Sequence, residues 1–295
     1  MATDRRLRDR LQLLKREFDS LRPGREALLS HIDEVEVAES VYNSNAIENS
    51  TLTLEETERI LFEQHLARDI SVRELFEAKN LSRVMEHKRS RAAIGELDRD
   101  LILNLHRMLL DGIDDGIAGR YRQAGEYVRV GPHIAPAPEH VELMMEQITI
   151  AHNADLESWF LDKIARFHLE FESIHPFRDG NGRIGRVLIN FQLLQLGLPR
   201  VILRNSEKRH YYRAFVEYER RESTRPMERI LVLALLESLH KRLAHLRGDR
   251  IIKLSDHIRK HSLPPPATTN AARRQTIPAF RERGVWKIGE KHEQG

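Results

Sequence analysis

Apolar residues recur at helical spacing along most of the chain. Near the start, Leu7, Leu11, Leu14 and Phe18 lie three or four positions apart, as they would on one face of an α-helix. A second helix is predicted from residue 26 to about residue 42. Further helices are predicted at residues 98–111, 141–152, 160–174 and 227–246, and from residue 183 onward. Because the helical period dominates, the sequence predicts an all-α fold.

The most apolar of these segments is the helix that begins at residue 183. Its apolar residues cover almost every face, and such a helix is buried on all sides. The helix before it ends at His175-Pro176, because the residue before a proline is pushed out of helical geometry. The sequence therefore predicts a buried central helix and a loop that leads into it. The apolar residues of this central helix are Ile184, Val187, Leu188, Ile189, Phe191, Leu193, Leu194 and Leu196.

The loop and the first helical turn read His-Pro-Phe-Arg-Asp-Gly-Asn-Gly-Arg-Ile-Gly-Arg, from His175 to Arg186. Gly180 and Gly182 allow successive backbone N–H groups to turn toward one anion. The N-terminus of the following helix also favours phosphate. Arg183 and Arg186 are three residues apart, so both can reach the same anion, and guanidinium groups suit phosphate oxygens. The segment is predicted to hold phosphates.

Two further residues of the segment add chemistry. Asp179 offers a hard oxygen ligand, and Mg²⁺ is commonly held by one or two carboxylates together with substrate phosphates. His175 is the one nearby side chain that can take up a proton near neutral pH. These groups predict transfer of a phosphorus-containing group to a hydroxyl. The Gly-x-x-x-x-Gly-Lys-Ser/Thr pattern of P-loop proteins is absent from the sequence.

The same segment resembles the signature of the Fic family, His-x-Phe-x-Asp/Glu-Gly-Asn-Gly-Arg-x-x-Arg, at every fixed position. The resemblance implies a protein adenylyltransferase that uses ATP and Mg²⁺ to attach AMP to a Ser, Thr or Tyr hydroxyl, its own included. It implies that His175 deprotonates the hydroxyl, that Phe177 anchors the loop, and that Asp179 binds Mg²⁺. The nucleotide-binding residues that it implies are Gly180, Asn181, Gly182, Arg183 and Arg186.

Gly182 bears on which group is transferred. Relatives that resemble Doc toxins carry lysine at this position and transfer phosphate, whereas glycine leaves room for the orientation that transfers AMP. Gly182 therefore favours AMP transfer. A Fic-type transferase of another specificity, or an enzyme that removes AMP, stays open as an alternative.

The resemblance also implies a substrate-binding hairpin, here called the flap, upstream of the loop. An exposed strand edge can align an incoming peptide by backbone pairing. The flap residues are Arg129, Val130, Gly131, Pro132, His133 and Ile134. Downstream of the central helix, Tyr211 and Tyr212 lie where family members place residues near the nucleobase, so either ring could stack on adenine.

The segment from Ser44 to Asn49 reads Ser-Asn-Ala-Ile-Glu-Asn and resembles the Fic inhibitory motif, Ser/Thr-x-x-x-Glu-Gly/Asn. Ser44 and Glu48 are four residues apart, so they share a face of a helix. The resemblance implies that Glu48 pairs with Arg186 and misaligns ATP, as in the class with an N-terminal inhibitory helix. Whether Glu48 instead positions a water for AMP removal stays open.

The distribution of charge separates the C-terminal region from the rest. The net charge is only +3, but residues 250–295 contain ten Lys or Arg and four Asp or Glu, which leaves 38 and 41 for the remainder. The sequence has no cysteine, which fits a cytoplasmic protein. Neither a secretory leader nor a window of about 18 apolar residues is present, so no membrane association is expected.

The basic tail reads as two short helices interrupted at Pro264 to Pro266, followed by two short strands. This order resembles a winged helix-turn-helix module, and basic side chains on it would contact DNA phosphates. The alternative function is therefore a DNA-binding transcriptional regulator that uses the Fic domain as an ATP sensor or self-modifier. A tail that mediates homo-oligomerisation stays open as well. The candidate DNA contacts are Arg273, Arg274, Arg281, Arg283 and Lys287.

The sequence predicts three domains. An N-terminal helical region with the inhibitory helix covers residues 1–95. The Fic catalytic core with its small β-hairpin covers residues 96–248. The basic helix-turn-helix-like module covers residues 249–295.

Overall fold

The computed structural model describes residues 5–91, 96–131 and 133–290. Within this part of the chain the secondary structure is mostly helical, as predicted, with short antiparallel strands. None of the described helices is both long and apolar enough to cross a membrane. The helices are α1 (Arg5–Leu21), α2 (Glu26–Ile47), α3 (Leu54–Leu61), α4 (Val72–Arg91), α5 (Arg99–Leu110), α6 (Pro138–Ala154), α7 (Phe160–Ile174), α8 (Asn181–Gln195), α9 (Lys208–Arg221), α10 (Arg225–Arg247), α11 (Leu254–Lys260) and α12 (Pro265–Arg273). The strands are β1 (Arg129–Val130), β2 (His133–Ile134), β3 (Arg250–Lys253), β4 (Ala279–Glu282) and β5 (Val285–Glu290).

The chain divides into two compact units. The larger unit contains residues 37–197 and 203–228, and the smaller unit contains residues 1–36, 198–202 and 229–295. These units are groups of residues that pack together. The domain boundaries predicted near residues 95 and 248 are boundaries between independently folding regions. Packing units do not test them, so they stay predictions.

The core of the larger unit surrounds α8. The prediction of a buried central helix is confirmed, because α8 buries residues on every face. The apolar face of α7 packs against the same core, which also includes residues of α4 and α5. Burying a Leu, Ile or Phe side chain stabilises a fold by about 1.5–3 kcal/mol, so this core fixes the ends of α7 and α8. The loop between them is thereby held in place.

Helix α2 extends further than the sequence predicted. It ends at Ile47 instead of near Tyr42. Asn43 is a weak helix former, but its side-chain amide donates to the Glu39 carbonyl oxygen at 2.8 Å inside the helix. The additional turn carries Ser44, whose contacts with a distant helix are described below. Helix propensity takes no account of such tertiary contacts, so the sequence predicted that α2 ends about one turn too early.

The smaller unit contains the two C-terminal helices and a three-stranded sheet. The strand order is β3-β5-β4, with both pairs antiparallel. The predicted order of helix, turn, helix and hairpin is present, whereas β3 was not predicted. Arg283 and Gly284 connect β4 to β5 with φ angles of 51° and 78°, and a two-residue turn with both φ positive matches the twist of a hairpin. A small apolar core lies under the sheet and includes Leu254, Ala272, Ala279 and Ile288.

Candidate active site

The loop between α7 and α8 is held by its own side chains. His175 ends α7 in the left-handed conformation, with φ of 51°, and Gly180 precedes α8 with φ of 82°. The Asn181 side chain spans the loop: its amide nitrogen donates to the Phe177 carbonyl oxygen, and its oxygen accepts from the Phe177 N–H, both at 2.8 Å. The nucleotide contact implied for Asn181 stays a prediction. Its polar atoms are used inside the loop, and it is 2% exposed.

Phe177 is fully buried, as expected for the anchor of the loop. The His106 ring stacks on it with 3.7 Å between ring centroids. The Gly119 N–H donates to His106 Nδ1 at 3.0 Å, so Nε2 carries the proton and donates to the Asp179 carbonyl oxygen at 3.0 Å. Burial lowers the pKa of His106 to about 4, which keeps the ring neutral. Sequence reasoning missed His106, although it lies among the apolar positions of α5.

Arg122 is a second organiser that the sequence did not reveal. Its Nε donates to the His175 carbonyl oxygen at 2.8 Å, and Nη2 donates to the carbonyl oxygens of Pro136 and Ile174 at 2.9 and 3.2 Å. The side chain is buried. Because guanidinium hydrogen bonds are directional and strong, Arg122 fixes the backbone on both sides of His175. Its only signal in the sequence is its position beside the predicted flap.

His175 itself is partly accessible. Its side chain is 16% exposed, and Nδ1 lies 4.0 Å from Glu172 Oε2. Burial lowers the pKa of His175 to about 4, with smaller contributions in the same direction from Arg122 and His133. The ring is therefore neutral at pH 7 and can accept a proton.

Glu172 was not predicted as a site residue. Burial, reinforced by the negative charge of Glu48, raises the pKa of Glu172 to about 8, so it is protonated at neutral pH. Its Oε1 has no hydrogen-bond partner among the described residues. A Cβ at Gly185 would lie 2.5 Å from this oxygen, so glycine is required where α8 passes Glu172. In the sequence, only the position of Glu172 near the apolar face of α7 could have indicated that its carboxyl group is buried.

Arg186 lies beside residues 44–48 in the larger unit. Its Nε donates to Ser44 Oγ, and Nη2 donates to the Ser44 carbonyl oxygen, both at 2.9 Å. The Nη2 atom also lies 2.8 Å from Glu48 Oε1, with the arginine 5% and the glutamate 36% exposed. Burial alone would lower the pKa of Arg186, but the Glu48 carboxylate raises it overall. Arg186 is therefore a buried cation with Glu48 as its counter-ion.

The end of α2 explains the spacing from Ser44 to Asn49, the segment that resembles the Fic inhibitory motif. The helix ends at Ile47, so Glu48 is the residue immediately after it, and Asn49 adopts the left-handed conformation with φ of 70°. The Ser50 N–H donates to the Asn45 carbonyl oxygen and the Asn49 N–H to the Ala46 carbonyl oxygen. This is the Schellman arrangement, in which glycine or asparagine is favoured at the left-handed position. The final Gly/Asn of the motif ends the helix and so fixes the place of Glu48.

The Glu48 carboxylate lies over the first turn of α8. A Cβ at Gly182 would be 2.2 Å from Glu48 Oε1 and 3.0 Å from Arg186 Nη1. The first turn of a helix presents free N–H groups that favour an anion. Gly182 therefore leaves space that a carboxylate occupies in this structure.

A second charged cluster surrounds the predicted metal ligand. Asp179 Oδ2 pairs with Arg73, and Asp179 Oδ1 lies 3.0 Å from Arg183 Nη2. Arg183 Nη1 lies 3.0 Å from Glu77 Oε1. Burial would raise the pKa of Asp179, but Arg183 and Arg73 lower it overall. Arg183 and Arg186 therefore face different carboxylates in this structure, and their contact with one anion stays a prediction.

The flap is present as a two-stranded hairpin. Arg129 pairs with Ile134 and Val130 with His133, and the Ile134 side chain is 73% exposed. His133 Nε2 lies 2.8 Å from the Ser173 carbonyl oxygen, two residues before His175, so the hairpin is attached to the end of α7. Gly131 forms the exposed turn. Pro132 lies outside the described residues.

The two predicted nucleobase contacts differ in accessibility. Tyr211 is 4% exposed, and its hydroxyl lies 2.7 Å from His168 Nε2. This corrects the prediction for Tyr211, whose ring is enclosed in the core and cannot stack on adenine. Tyr212 is 40% exposed and donates its hydroxyl to the Ile47 carbonyl oxygen at 3.2 Å, so it alone keeps an accessible face.

The five candidate DNA contacts also separate into two groups. Arg281 Nη2 lies 2.7 Å from Glu237 Oε2, and Lys287 Nζ lies 2.5 Å from Glu282 Oε2. The charges of these two side chains are paired within the smaller unit, and their DNA contacts stay predictions. Arg273, Arg274 and Arg283 are exposed.

Comparisons with known proteins agree with this architecture. Residues 96–193 match the model of the Fic/DOC family. The protein adenylyltransferase Fic of Nematostella vectensis is 33% identical over 184 residues, which are 58% of this chain and 41% of that protein. The protein of the same name from Drosophila melanogaster is 30% identical over 246 residues, which are 78% of this chain and 49% of that protein.

A solved structure is similar over most of the chain. It is a Fic domain containing signaling protein from Bacteroides thetaiotaomicron, with a TM-score of 0.73 and 24% identity over 82% of this chain and 98% of that chain; at this identity the likeness concerns the fold alone. The chain belongs to the Fic/DOC family. It spans less than half the length of the two curated relatives.

Proposed function

We propose that the chain is a protein adenylyltransferase that transfers AMP from ATP to a hydroxyl on a protein, with its own hydroxyls among the targets. The observation that carries the proposal is a neutral His175 at the entrance to the first turn of α8. That turn presents helix N–H groups and lies beside the buried Arg186. A proton acceptor next to an anion site is what transfer of a phosphorus-containing group to a hydroxyl requires. The adenylyltransferases named above support ATP as the donor.

In the proposed reaction, the target hydroxyl oxygen forms a bond to the α-phosphorus of ATP. The bond from that phosphorus to the oxygen bridging to the β-phosphate breaks, and pyrophosphate leaves. His175 takes the hydroxyl proton. Glu172 faces Nδ1 of the ring, which leaves Nε2 for the substrate. Arg122 fixes the His175 carbonyl, so the imidazole is held in place before the substrate arrives.

Asp179 fits a hard divalent cation such as Mg²⁺. Its pKa is lowered by Arg183 and Arg73, against the effect of burial, so an ionised carboxylate lies on the loop, one third exposed. Arg73, the more exposed of its partners, would have to move aside. Bound there with ATP, Mg²⁺ would neutralise phosphate charge. The two arginines hold the carboxylate at the loop in the structure described here.

The flap is proposed to position the protein substrate. Its strands are short, and all of their residues except the half-buried His133 are exposed. An exposed edge can add a peptide strand through backbone hydrogen bonds. Because His133 is attached to the end of α7, a peptide paired with the flap would lie at a fixed distance from His175. Such pairing selects an extended backbone more than particular side chains.

We propose that Glu48 inhibits the reaction. Its carboxylate lies over Gly182 and pairs with Arg186. It therefore fills a position that a phosphate would take, and it binds the arginine that would orient the terminal phosphate of ATP. ATP that binds beside it would have its α-phosphate misaligned, and a displacement of about 1 Å can cost about a hundredfold in rate. A role for Glu48 in positioning a water for AMP removal is the alternative, which a release assay on adenylylated protein would detect.

The experiment is an intact-mass measurement. Purified Glu48→Gly protein is incubated with ATP and Mg²⁺, beside the double variant Glu48→Gly/His175→Ala. We expect the first to gain the mass of adenylyl groups and the second to gain nothing. Gain of phosphoryl mass would indicate a phosphotransferase, and equal gain in both proteins would refute the role of His175. Thermal unfolding of both variants controls for folding.

A second candidate function is DNA binding by the C-terminal helices and hairpin. It is favoured by exposed Arg273 and Arg274 at the end of α12, the second of the two helices. Phosphate contacts make affinity fall steeply with salt. We expect Arg273→Gln/Arg274→Gln to weaken binding to duplex DNA and to reduce the salt slope by about two. Binding that neither salt nor these substitutions change would refute this proposal, and the same substitutions should leave adenylylation intact.

A further inference from the structure

Three potential metal ligands meet in the smaller unit, which does not contain the loop at residues 175–186. His257 and His261 lie on α11, and Glu290 ends β5. Glu290 Oε1 lies 2.9 Å from His257 Nδ1 and 3.2 Å from His261 Nε2. The three ligand atoms all lie within 4.8 Å of one another. This is the one such group of three among the described residues.

The arrangement matches the needs of zinc and related ions. Histidines four residues apart on a helix project from one face and can bind the same ion. Two imidazoles and a carboxylate form a common ligand set for Zn²⁺, with metal–ligand distances of about 2.0–2.2 Å. Ligand atoms in a tetrahedral site are then about 3.4 Å apart. The two contacts of Glu290 Oε1 are already close to this value, and the partly exposed rings can turn.

The alternative to a metal site is a cluster of ion pairs among the same residues. Replacing Lys260 distinguishes the two, because they predict different effects of its charge. Lys260 Nζ lies 3.0 Å from Glu290 Oε2, so it holds the second oxygen and leaves Oε1 to the two rings. In an ion-pair cluster, Lys260 is one more positive partner of the Glu290 carboxylate, and no metal binds. At a metal site, its positive charge opposes the incoming cation, so its removal should tighten binding.

We propose that His257, His261 and Glu290 bind one divalent transition-metal ion of the Zn²⁺ type. The three protein ligands leave at least one position for water or another small ligand. The ion ties the short helix α11 to the last strand of the sheet. Imidazole ligands suit Zn²⁺, Ni²⁺ and Co²⁺, whereas Mg²⁺ prefers oxygen ligands. The site is therefore distinct in chemistry from Asp179 and does not depend on the proposed transferase activity.

The test uses the full chain after treatment with a chelator and removal of that chelator. Zn²⁺ is titrated by calorimetry in the presence of excess Mg²⁺, and Co²⁺ is added in parallel to record its visible absorption. We expect one high-affinity site per chain and a Co²⁺ spectrum of tetrahedral or five-coordinate type. Mg²⁺ should not compete.

Variants assign the ligands. His257→Gln, His261→Gln and Glu290→Gln should each weaken Zn²⁺ affinity by at least about tenfold, because loss of even an outer partner of a metal ligand costs that much. Lys260→Gln should tighten binding severalfold. His31→Gln changes an exposed histidine elsewhere and should leave affinity unchanged. Circular dichroism in chelator shows that each variant is folded.

The proposal would be overturned by absence of a saturable site, or by equal affinity in the three ligand variants and in wild type. Weaker Zn²⁺ binding in Lys260→Gln would also contradict an ion bound beside Glu290, because loss of the neighbouring lysine charge should tighten binding there. If one ligand variant does not fold, the other two carry the test, since each ligand contributes separately to affinity.

Discussion

Two buried arginines, one in each unit, differ in how completely their hydrogen bonds are satisfied. Arg242 in the smaller unit donates Nη1 to the Ser238 carbonyl and hydroxyl oxygens. Its Nη2 lies 2.5 Å from Asp33 Oδ1 and 2.7 Å from Glu36 Oε2. Glu36 is bound in turn by Lys241 at 3.0 Å. Two carboxylates and one serine thus bind the terminal nitrogens of this guanidinium.

Arg186 in the larger unit is equally buried but incompletely bound. Its Nη1 has no hydrogen-bond partner among the described residues. Glu172 Oε1 and His168 Nδ1 nearby also lack a hydrogen-bond partner within that part of the chain. Unsatisfied buried polar atoms are rare and costly, so each needs an explanation. We infer that the Arg242 network serves stability, whereas the Arg186 pocket is arranged for a ligand that Glu48 now replaces in part.

The largest effect should come from removing the cation itself in an active background. Relative to Glu48→Gly, the double variant Glu48→Gly/Arg186→Gln should lose about 10²–10³ in the rate of adenylylation, the usual cost of losing one charge-stabilising donor. Its thermal stability should change little. Glu48→Gly/Arg242→Met is the matched control, which should lose stability but keep its rate at low temperature. Equal rate losses in both double variants would contradict the comparison.

The counter-ions should differ in their contribution to stability. Glu36→Gln removes one buried partner of Arg242 and Lys241 and should lower the free energy of unfolding by about 3 kcal/mol. Glu48→Gln, at a partly exposed carboxylate, should change it by less than about 1 kcal/mol. Urea unfolding measures both values. A larger loss in Glu48→Gln than in Glu36→Gln would reverse the assignment of stability to the Arg242 network.

The protonation of Glu172 predicts a pH dependence. Its pKa is about 8 in the folded chain against 4.5 ordinarily, so the folded state binds the extra proton between these values. The free energy of unfolding therefore falls as pH rises through this window, with a slope of at most about 1.4 kcal/mol per pH unit. Glu172→Gln should lack this component of the fall. Urea midpoints at pH 5.5 and 8.5 test it, with exposed Glu146→Gln as control; parallel curves for wild type and Glu172→Gln would exclude a protonated Glu172.

The smallest effect concerns the residue that ends α2. Asn49 has φ of 70°, where a residue other than glycine or asparagine costs about 1 kcal/mol. Asn49→Ala should lower the free energy of unfolding by about that amount and raise basal adenylylation severalfold, because Glu48 is held less firmly. Asn49→Gly should keep the helix end and the low activity. Higher activity in Asn49→Gly than in Asn49→Ala would contradict the idea that the end of α2 holds Glu48 in its inhibitory position.

Local pattern was enough to predict some of the molecule. The apolar period of α8 and the proline after His175 predicted the helix pair and its loop, and the fold class is confirmed. The resemblance of residues 44–49 to the Fic inhibitory motif likewise implied the contact of Glu48 with Arg186. These features depend on residues close together in the sequence.

Other features depend on contacts between distant residues and could not be read from local pattern. The end of α2 is extended by Ser44 contacting Arg186, 142 residues later. Tyr211 is enclosed in part because His168, 43 residues earlier in the sequence, packs against its ring. The pairing of β3 with β5 similarly joins residues 250–253 to residues 287–290. In each case a partner distant in sequence determines the outcome.

The most direct test of the account is the initial rate of adenylyl incorporation at saturating ATP and Mg²⁺, measured by intact mass for wild type and Glu48→Gly side by side. If Glu48 withholds Arg186 from the nucleotide, Glu48→Gly should incorporate AMP about a hundredfold faster, while ATP affinity changes much less. Equal rates in two folded proteins would contradict the inhibitory role of Glu48 and the interpretation of the Arg186 pocket built on it.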